Sequence, residues 1–243
     1  MNLRHLIYKI TLRLGYEVRR VSPLEWQPGR AYWEAEYLKR LGFSPRTIVD
    51  VGVAYGTPYL ELRSFYEAFP ESYFVLVEPL KEFEPYLQDI LKKYKGEYFL
   101  IALGARNEAR IINIESPYRE TSSILKRAPL ESNAIELSPR EIQVTTLDAL
   151  MEKHNWHQPF GLKMDVEGFE FQIIEGASRF VEKTEFVITE VPVANRFEGG
   201  YSFADFILLM NERGFSVCDI LDIGRADNSE VIFMDLVFRK TGL

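Results

Sequence analysis

Two glycines four residues apart, Gly52 and Gly56, follow an apolar run that carries an acid, Thr47-Ile48-Val49-Asp50-Val51. Glycines at such a turn let the backbone approach a ligand closely, and the N–H groups that open the next helix attract polar or negative groups. Thr57 suits the cap of that helix, and Pro58 suits its first position. Glu78 lies 28 residues after Asp50 and closes a second apolar run, Tyr73-Phe74-Val75-Leu76-Val77. A carboxylate offers two acceptors in one plane, which suits the paired hydroxyls of a ribose. Asp165 ends the run Gly161-Leu162-Lys163-Met164, and Glu190 ends Phe186-Val187-Ile188-Thr189. Strand ends face the ligand crevice of an open α/β sheet, so Asp165 is a candidate contact, with Lys163 on the same side of its strand. Glu167 and Glu170 read as acids favoured by a helix N-terminus.

These acids need a sheet to carry them. The strands over 47–51, 73–78 and 98–102 alternate with helices over 60–69 and 82–94, which predicts βαβαβ with a parallel sheet and right-handed crossovers. Between residues 104 and 146 the helical rhythm breaks. Arg110–Glu115 and Glu141–Thr146 read as extra strands, and 116–123 as a polar loop bearing Thr121-Ser122-Ser123, placed where it can cover a ligand. A helix is expected from about Gly168 to Phe180, another over Phe203–Arg213, and two antiparallel strands close the chain. His154 and His157 precede the fourth strand, which puts them at the far end of the sheet.

The 243 residues are 47% hydrophobic, enough for one sizeable core, and the net charge of −7 opposes a nucleic-acid partner. Cys218 is the only cysteine and reads as a small buried hydrophobe in a late strand. Leu3, Leu6, Ile7, Ile10 and Leu14 recur at helical spacing amid basic residues, which predicts an amphipathic helix rather than a signal peptide or a membrane span. That helix suits packing on the domain or on a second copy in a homodimer, and secondarily peripheral contact with a membrane surface. Residues 1–42 are thus read as a helical extension and 43–243 as the main domain of a cytoplasmic protein.

The ordered blocks Asp50-Val51-Gly52 with Gly56, Val77-Glu78-Pro79, Thr145-Thr146-Leu147-Asp148, Leu162 through Glu170, Glu175-Gly176-Ala177 and Glu190 resemble the FkbM-type methyltransferases. Val53-Ala54 stands where that family often carries Ala-Asn, which removes a polar side chain near the cofactor. The resemblance implies a Rossmann-like class I methyltransferase. Its sheet has seven mostly parallel strands with a C-terminal antiparallel pair, and helices cover both faces. It further implies S-adenosyl-L-methionine as cofactor and O-methylation of a hydroxyl on a sugar, glycan or secondary metabolite. Carried onto this sequence, cofactor contacts fall on Asp50, Gly52, Val53, Tyr55, Gly56, Glu78, Pro79, Ala102, Leu103, Ser123 and Asp165. Catalysis falls on Asp165, Glu190 and Lys163, because the acceptor hydroxyl must lose a proton to a base or to a metal. Asp165 and Glu190 are the hard oxygen donors that would hold Mg2+ or a similar ion. Tyr118, Trp156, Phe197 and Tyr201 are available to stack on an acceptor ring.

Two other readings share parts of this pattern. A nicotinamide-dependent oxidoreductase would also use a glycine turn and a strand-end acid. It would need the tighter Gly-x-Gly-x-x-Gly spacing, and this chain also lacks a Tyr followed four residues later by Lys. A non-catalytic descendant that only binds the cofactor has no reason to keep Glu78, Asp165, Glu167, Glu170 and Glu190 together.

Overall fold

The computed structural model describes residues 35–56, 60–116, 118–128, 136–226 and 229–242. The amphipathic helix expected over 1–14, the Thr57 cap and Pro58 lie outside the described residues. The first part of the chain forms α1 (Ala35–Arg40), β1 (Thr47–Val51), α2 (Leu60–Ala68), β2 (Tyr73–Val77), α3 (Glu84–Leu91) and β3 (Gly96–Phe99). Three inserted strands follow, β4 (Ala102–Leu103), β5 (Glu108–Ser116) and β6 (Glu136–Thr145). The remainder forms α4 (Leu147–Glu152), β7 (Phe160–Met164), α5 (Glu170–Glu175), α6 (Ser178–Glu182), β8 (Thr184–Pro192), α7 (Phe203–Glu212), β9 (Phe215–Arg225) and β10 (Val231–Lys240).

Seven strands build one sheet in the order β3-β2-β1-β7-β8-β10-β9. Only β10 runs against its neighbours, so the C-terminal pair is antiparallel as expected. The central strands are mainly apolar because helices bury both of their faces, and the charges inside β1 and β7, Asp50 and Lys163, pair with each other. On one face Ile48, Leu76, Phe186 and Val237 meet Leu38 of α1, Tyr66 of α2 and Ile90 of α3. On the other, Val49, Leu162, Val187 and Phe238 meet Leu150, Ile174, Phe180 and Phe206 of α4 to α7. Helix α1 is tied to the sheet's edge, where the Tyr37 hydroxyl donates to Asp219 of β9 at 2.8 Å.

Three expected elements differ. The strand read over 98–102 divides: Gly96–Phe99 stays in the main sheet, while Ala102–Leu103 joins β6 and β5 in a separate three-stranded sheet. The helix expected over 168–180 divides at Gly176, where a side chain would lie 2.1 Å from the Gly104 carbonyl oxygen. The chain restarts as α6 because the Asp148 carboxylate accepts from the N–H groups of Arg179 at 3.0 Å and Phe180 at 2.8 Å, a cap supplied from α4. Cys218 is exposed rather than buried, since β9 is an edge strand.

The glycine turn after β1 shows why Gly52 is required. Its φ is +78°, and a Cβ would meet the Asp165 carbonyl oxygen at 1.9 Å. Backbone rather than ligand crowds this position, and the contact brings the ends of β1 and β7 together. Gly52→Ala should cost at least about 3 kcal/mol, from left-handed strain plus overlap with a rigid backbone. Chemical denaturation checks this; a variant within about 1 kcal/mol of the wild type would contradict the contact.

Candidate active site

Two contiguous cavities open at the C-terminal ends of the strands, where a sheet of this type binds its ligand. The inner one is walled by Gly52, Glu78, Pro79, Phe83, Ala102, Leu103, Ile112 and Phe169. The outer, roomier one is walled by Val53, Tyr55, Lys163, Thr189, Glu190, Asp222 and Asp235. Gly52, Ala54, Glu120, Asp165 and Glu167 line both. A ligand with a polar ring system and a reactive tail can therefore lie across the junction, with its tail presented to the outer cavity.

Glu78 is 4% exposed and accepts from the Leu80 N–H at 2.9 Å and the Ala54 N–H at 3.1 Å. Burial pushes its carboxyl up to about 7, against the pull of those two amides and helped by the charge of Asp50. A carboxylate has about four acceptor positions, so donors from a ligand can still reach it. Ala54 and Glu167, both in the shared wall, hold φ values of +46° and +53°. Left-handed backbone in residues other than glycine costs about 1–3 kcal/mol and recurs at ligand sites.

Asp165 is exposed into the junction. The register places it beside Glu190, one step beyond the Met164–Thr189 pair, while Glu190 pairs with Asp235 and Asp235 with Asp222. Four adjacent strands thus carry one row of acidic side chains along the outer cavity. Arg196 Nη1 donates to Glu190, and Arg196 Nη2 reaches Glu167 Oε2 at 3.2 Å. Arg127 continues the chain of charges, with Nη2 on Glu167 at 3.2 Å and Nε on Glu115 at 2.7 Å. Glu115 also accepts from the Thr121 hydroxyl at 2.5 Å. Burial raises Glu167 to about 7, with the two arginines opposing and Asp165 adding to the shift. Burial and then Asp165 raise Glu190 as well, with Arg196 pulling it back.

Several expected contacts are corrected. Asp50 lines neither cavity: it is fully buried beneath the turn, where Lys163 Nζ donates to it at 3.0 Å and the Tyr66 hydroxyl also donates. Lys163 is turned to that carboxylate. Burial works against its charge, but Asp50, with Asp165 and Asp235 nearby, more than offsets this and raises its pKa. It is thus a fixed cation in the cavity floor, not a base. Gly56 also lies outside both linings; Ile90 Cδ1 occupies the space a Cβ would need, at 2.7 Å, so this glycine serves α3 packing. Ser123 is replaced in the inner wall by its neighbours Ser122 and Ile124. Its own hydroxyl donates to the Glu167 carbonyl at 2.7 Å and fastens the loop to the β7–α5 turn.

Glu170 is not a solvated helix-start acid. It is buried, accepts from the N–H groups of Val166 and Gly168 and from the Tyr201 hydroxyl at 2.7 Å, and so pins the turn that presents Asp165. Trp156 stacks on His154 at the opposite end of the sheet, Phe197 is buried under Gly168, and Tyr118 lies outside both linings.

Sequence reasoning missed Arg127, Arg196, Glu120, Asp222 and Asp235. Asp235 did leave a signal, an acid inside the apolar run Ile232–Phe238. Glu120 Oε2 is buried without a hydrogen-bond partner in the wall shared by both cavities, so it is open to a ligand donor. Among the described residues no group of three or more His, Cys, Asp or Glu side chains is disposed to hold a metal. The expected Asp165–Glu190 pair does not make the oxygen cage a magnesium ion takes, because a guanidinium already holds Glu190.

The strand order and the double cavity at the strand ends define the Rossmann-like architecture of class I methyltransferases. The family model of the methyltransferase FkbM domain matches residues 50–217, and the chain belongs to that family. No curated protein matches it. Among solved structures it is similar to methyltransferase FkbM from Methylobacillus flagellatus KT, at 16% identity and a TM-score of 0.48 over 85% of this chain and 50% of that one. It thus spans half the length of that protein. It is also similar to magnesium protoporphyrin IX methyltransferase from Synechocystis PCC 6803 with bound SAM, at 9% identity and a TM-score of 0.46, covering 85% of this chain and 76% of that one. Aeropyrum pernix fibrillarin in complex with S-adenosyl-L-methionine matches at 13% identity with a TM-score of 0.41, again over 85% and 76%.

Proposed function

We propose that this protein binds S-adenosylmethionine across the two cavities and methylates a hydroxyl of a small-molecule or glycan acceptor held in the outer one. The observation that carries this reading is the buried Glu78 carboxylate in the inner wall, joined through Asp165 to a second, larger cavity. When bound, the cofactor supplies a methyl group already activated on a sulfonium. Glu78 would receive the ribose hydroxyls, while Pro79, Ala102, Leu103 and Phe169 give the adenosine an apolar wall. The backbone at Gly52 and Val53 turns the tail toward Asp165. Alignment of the acceptor with the methyl group is the main task left to the protein. Asp165 and Glu190 then take or share the acceptor's proton.

The acceptor is taken to be uncharged or positively charged. Six acidic side chains, Glu120, Asp165, Glu167, Glu190, Asp222 and Asp235, line the outer cavity beside a single lysine, Lys163, a balance that disfavours a phosphate backbone. No helix of the described residues is long and apolar enough to cross a membrane. The exposed thiol of Cys218 suits a reducing compartment, for which the cytoplasm is our reading.

Calorimetry with S-adenosylhomocysteine and with NAD tests the cofactor class. Only the first should bind, and binding of NAD alone would replace this reading with an oxidoreductase. The pH dependence carries further information. Ribose donors favour the ionised form of Glu78, whose carboxyl titrates at about 7 in the free protein. Binding below that pH must displace a proton, so affinity should fall by up to about tenfold per pH unit below 7 and level off above it. An affinity constant between about pH 5.5 and 8.5 would contradict the role of Glu78.

A further inference from the structure

Arg196 lies in the loop after β8 and is 10% exposed. Its guanidinium carbon sits 5.4 Å from the ring centres of both Phe197 and Phe233, so two aromatic rings pack against the charged group. The Phe197 ring is itself fixed in the space left by Gly168, where a Cβ would meet it at 2.5 Å. The loop is anchored as well: the Ala128 N–H donates to the Arg196 carbonyl at 2.8 Å, and Arg127 pairs with Phe197 across a β-bridge. Little freedom is left to this side chain.

The two ends of the held guanidinium address two carboxylates from different elements. Nη1 donates to Glu190 Oε1 at the end of β8, and Nη2 reaches Glu167 Oε2 in the β7–α5 turn. A fork of this kind fixes both position and angle, which a lysine cannot reproduce. Arg196 itself lines neither cavity, so it touches neither ligand on the reading above.

Glu190 needs such a partner. Asp165 faces it from β7, Glu167 from the β7–α5 turn and Asp235 from β10, and the Tyr201 hydroxyl lies in its field from the segment before α7. Carboxylates directly opposite one another in a sheet repel, and burial adds to the cost of the charge. Burial and these acids push the Glu190 carboxyl up to about 9 even with Arg196 pulling it down, so without that cation it would hold its proton more firmly still.

We propose that Arg196 is the positioning residue that orients Glu190 at the acceptor hydroxyl and loosens its hold on a proton, so that Glu190 shares with Asp165 in taking the proton of that hydroxyl. The inference rests on the outer cavity being the acceptor site. The hydroxyl's proton passes to the carboxylates as its oxygen takes the methyl group.

A titration followed by NMR of protein carrying 13C-labelled glutamate carboxyls tests this without knowledge of the acceptor. The Glu190 signal is assigned by its loss in Glu190→Gln. In Arg196→Met the Glu190 midpoint should move upward by at least about one pH unit, a tenfold or greater gain in proton affinity. In Arg196→Lys, which keeps the charge and loses the fork, it should move upward by less. Arg196→Lys decides the question alone if the methionine variant does not fold. A midpoint within about 0.3 unit of the wild type in the folded variants would overturn the proposal. Both variants should bind S-adenosylhomocysteine within about twofold of the wild type. If the wild type itself does not bind that ligand, the methyltransferase reading fails, while the titration still decides whether Arg196 sets the charge of Glu190.

Discussion

Glu78→Ala should weaken S-adenosylmethionine binding by about a hundredfold or more. On the proposed pose, two ribose hydroxyls donate to this carboxylate, and each charge-assisted hydrogen bond is worth about 1.5–3 kcal/mol. The change also strips the Ala54 and Leu80 N–H groups of their shared acceptor, which costs folding stability. Glu78→Gln separates the two effects. It keeps the volume and one acceptor oxygen but loses the charge and sets an amide group against one of the two N–H groups, so it should fold better than the alanine variant and still bind the cofactor at least about tenfold more weakly. Calorimetry on both variants, with thermal unfolding alongside, is the check. Unchanged affinity in the glutamine variant would remove Glu78 from the cofactor site.

Asp165→Asn should slow methyl transfer by about a hundredfold or more, the usual scale for losing one of the carboxylates that share the acceptor's proton. Asparagine is nearly isosteric, and the Asp165 backbone contacts do not depend on the side chain. Its N–H donates to the Val51 carbonyl at 3.0 Å, and its own carbonyl packs on Gly52. Folding and S-adenosylhomocysteine affinity should therefore stay close to the wild type. The rate is read as radiolabelled methyl transferred to a panel of methyl glycosides and other polyols. EDTA should leave the wild-type rate unchanged, because the carboxylates here act on the proton directly. Wild-type rates in the asparagine variant would make Asp165 a structural acid at a helix start.

The sheet could be read from the sequence because its central strands are buried on both faces. Val49, Val75, Leu162 and Val187 sit in short, mainly apolar runs, broken within β1 and β7 only by the buried Asp50 and Lys163, and each run stops at an acid or a glycine. The two-residue β4 has no such signature, and its pairing with β6 depends on a partner more than forty residues away. Asp50 shows where reading by residue type fails. An acid at a strand end can face the crevice or a buried cation, and here the cation is Lys163, 113 residues distant. The charges around Glu167 were hidden for the same reason, since Arg127 and Arg196 lie 40 and 29 residues away in irregular loops. Glu170 reads from sequence as an ordinary helix-start acid, because its donors, the Val166 and Gly168 N–H groups and the Tyr201 hydroxyl, come together only in the fold.

The most direct test is a crystal structure of the protein grown with S-adenosylhomocysteine. The account predicts the adenosine in the inner cavity between Leu103 and Phe169, with both ribose hydroxyls within hydrogen-bond distance of the Glu78 carboxylate. The sulfur should stand at the junction beside Asp165, facing the outer cavity. A ligand bound elsewhere, or one whose ribose turns away from Glu78, would contradict it.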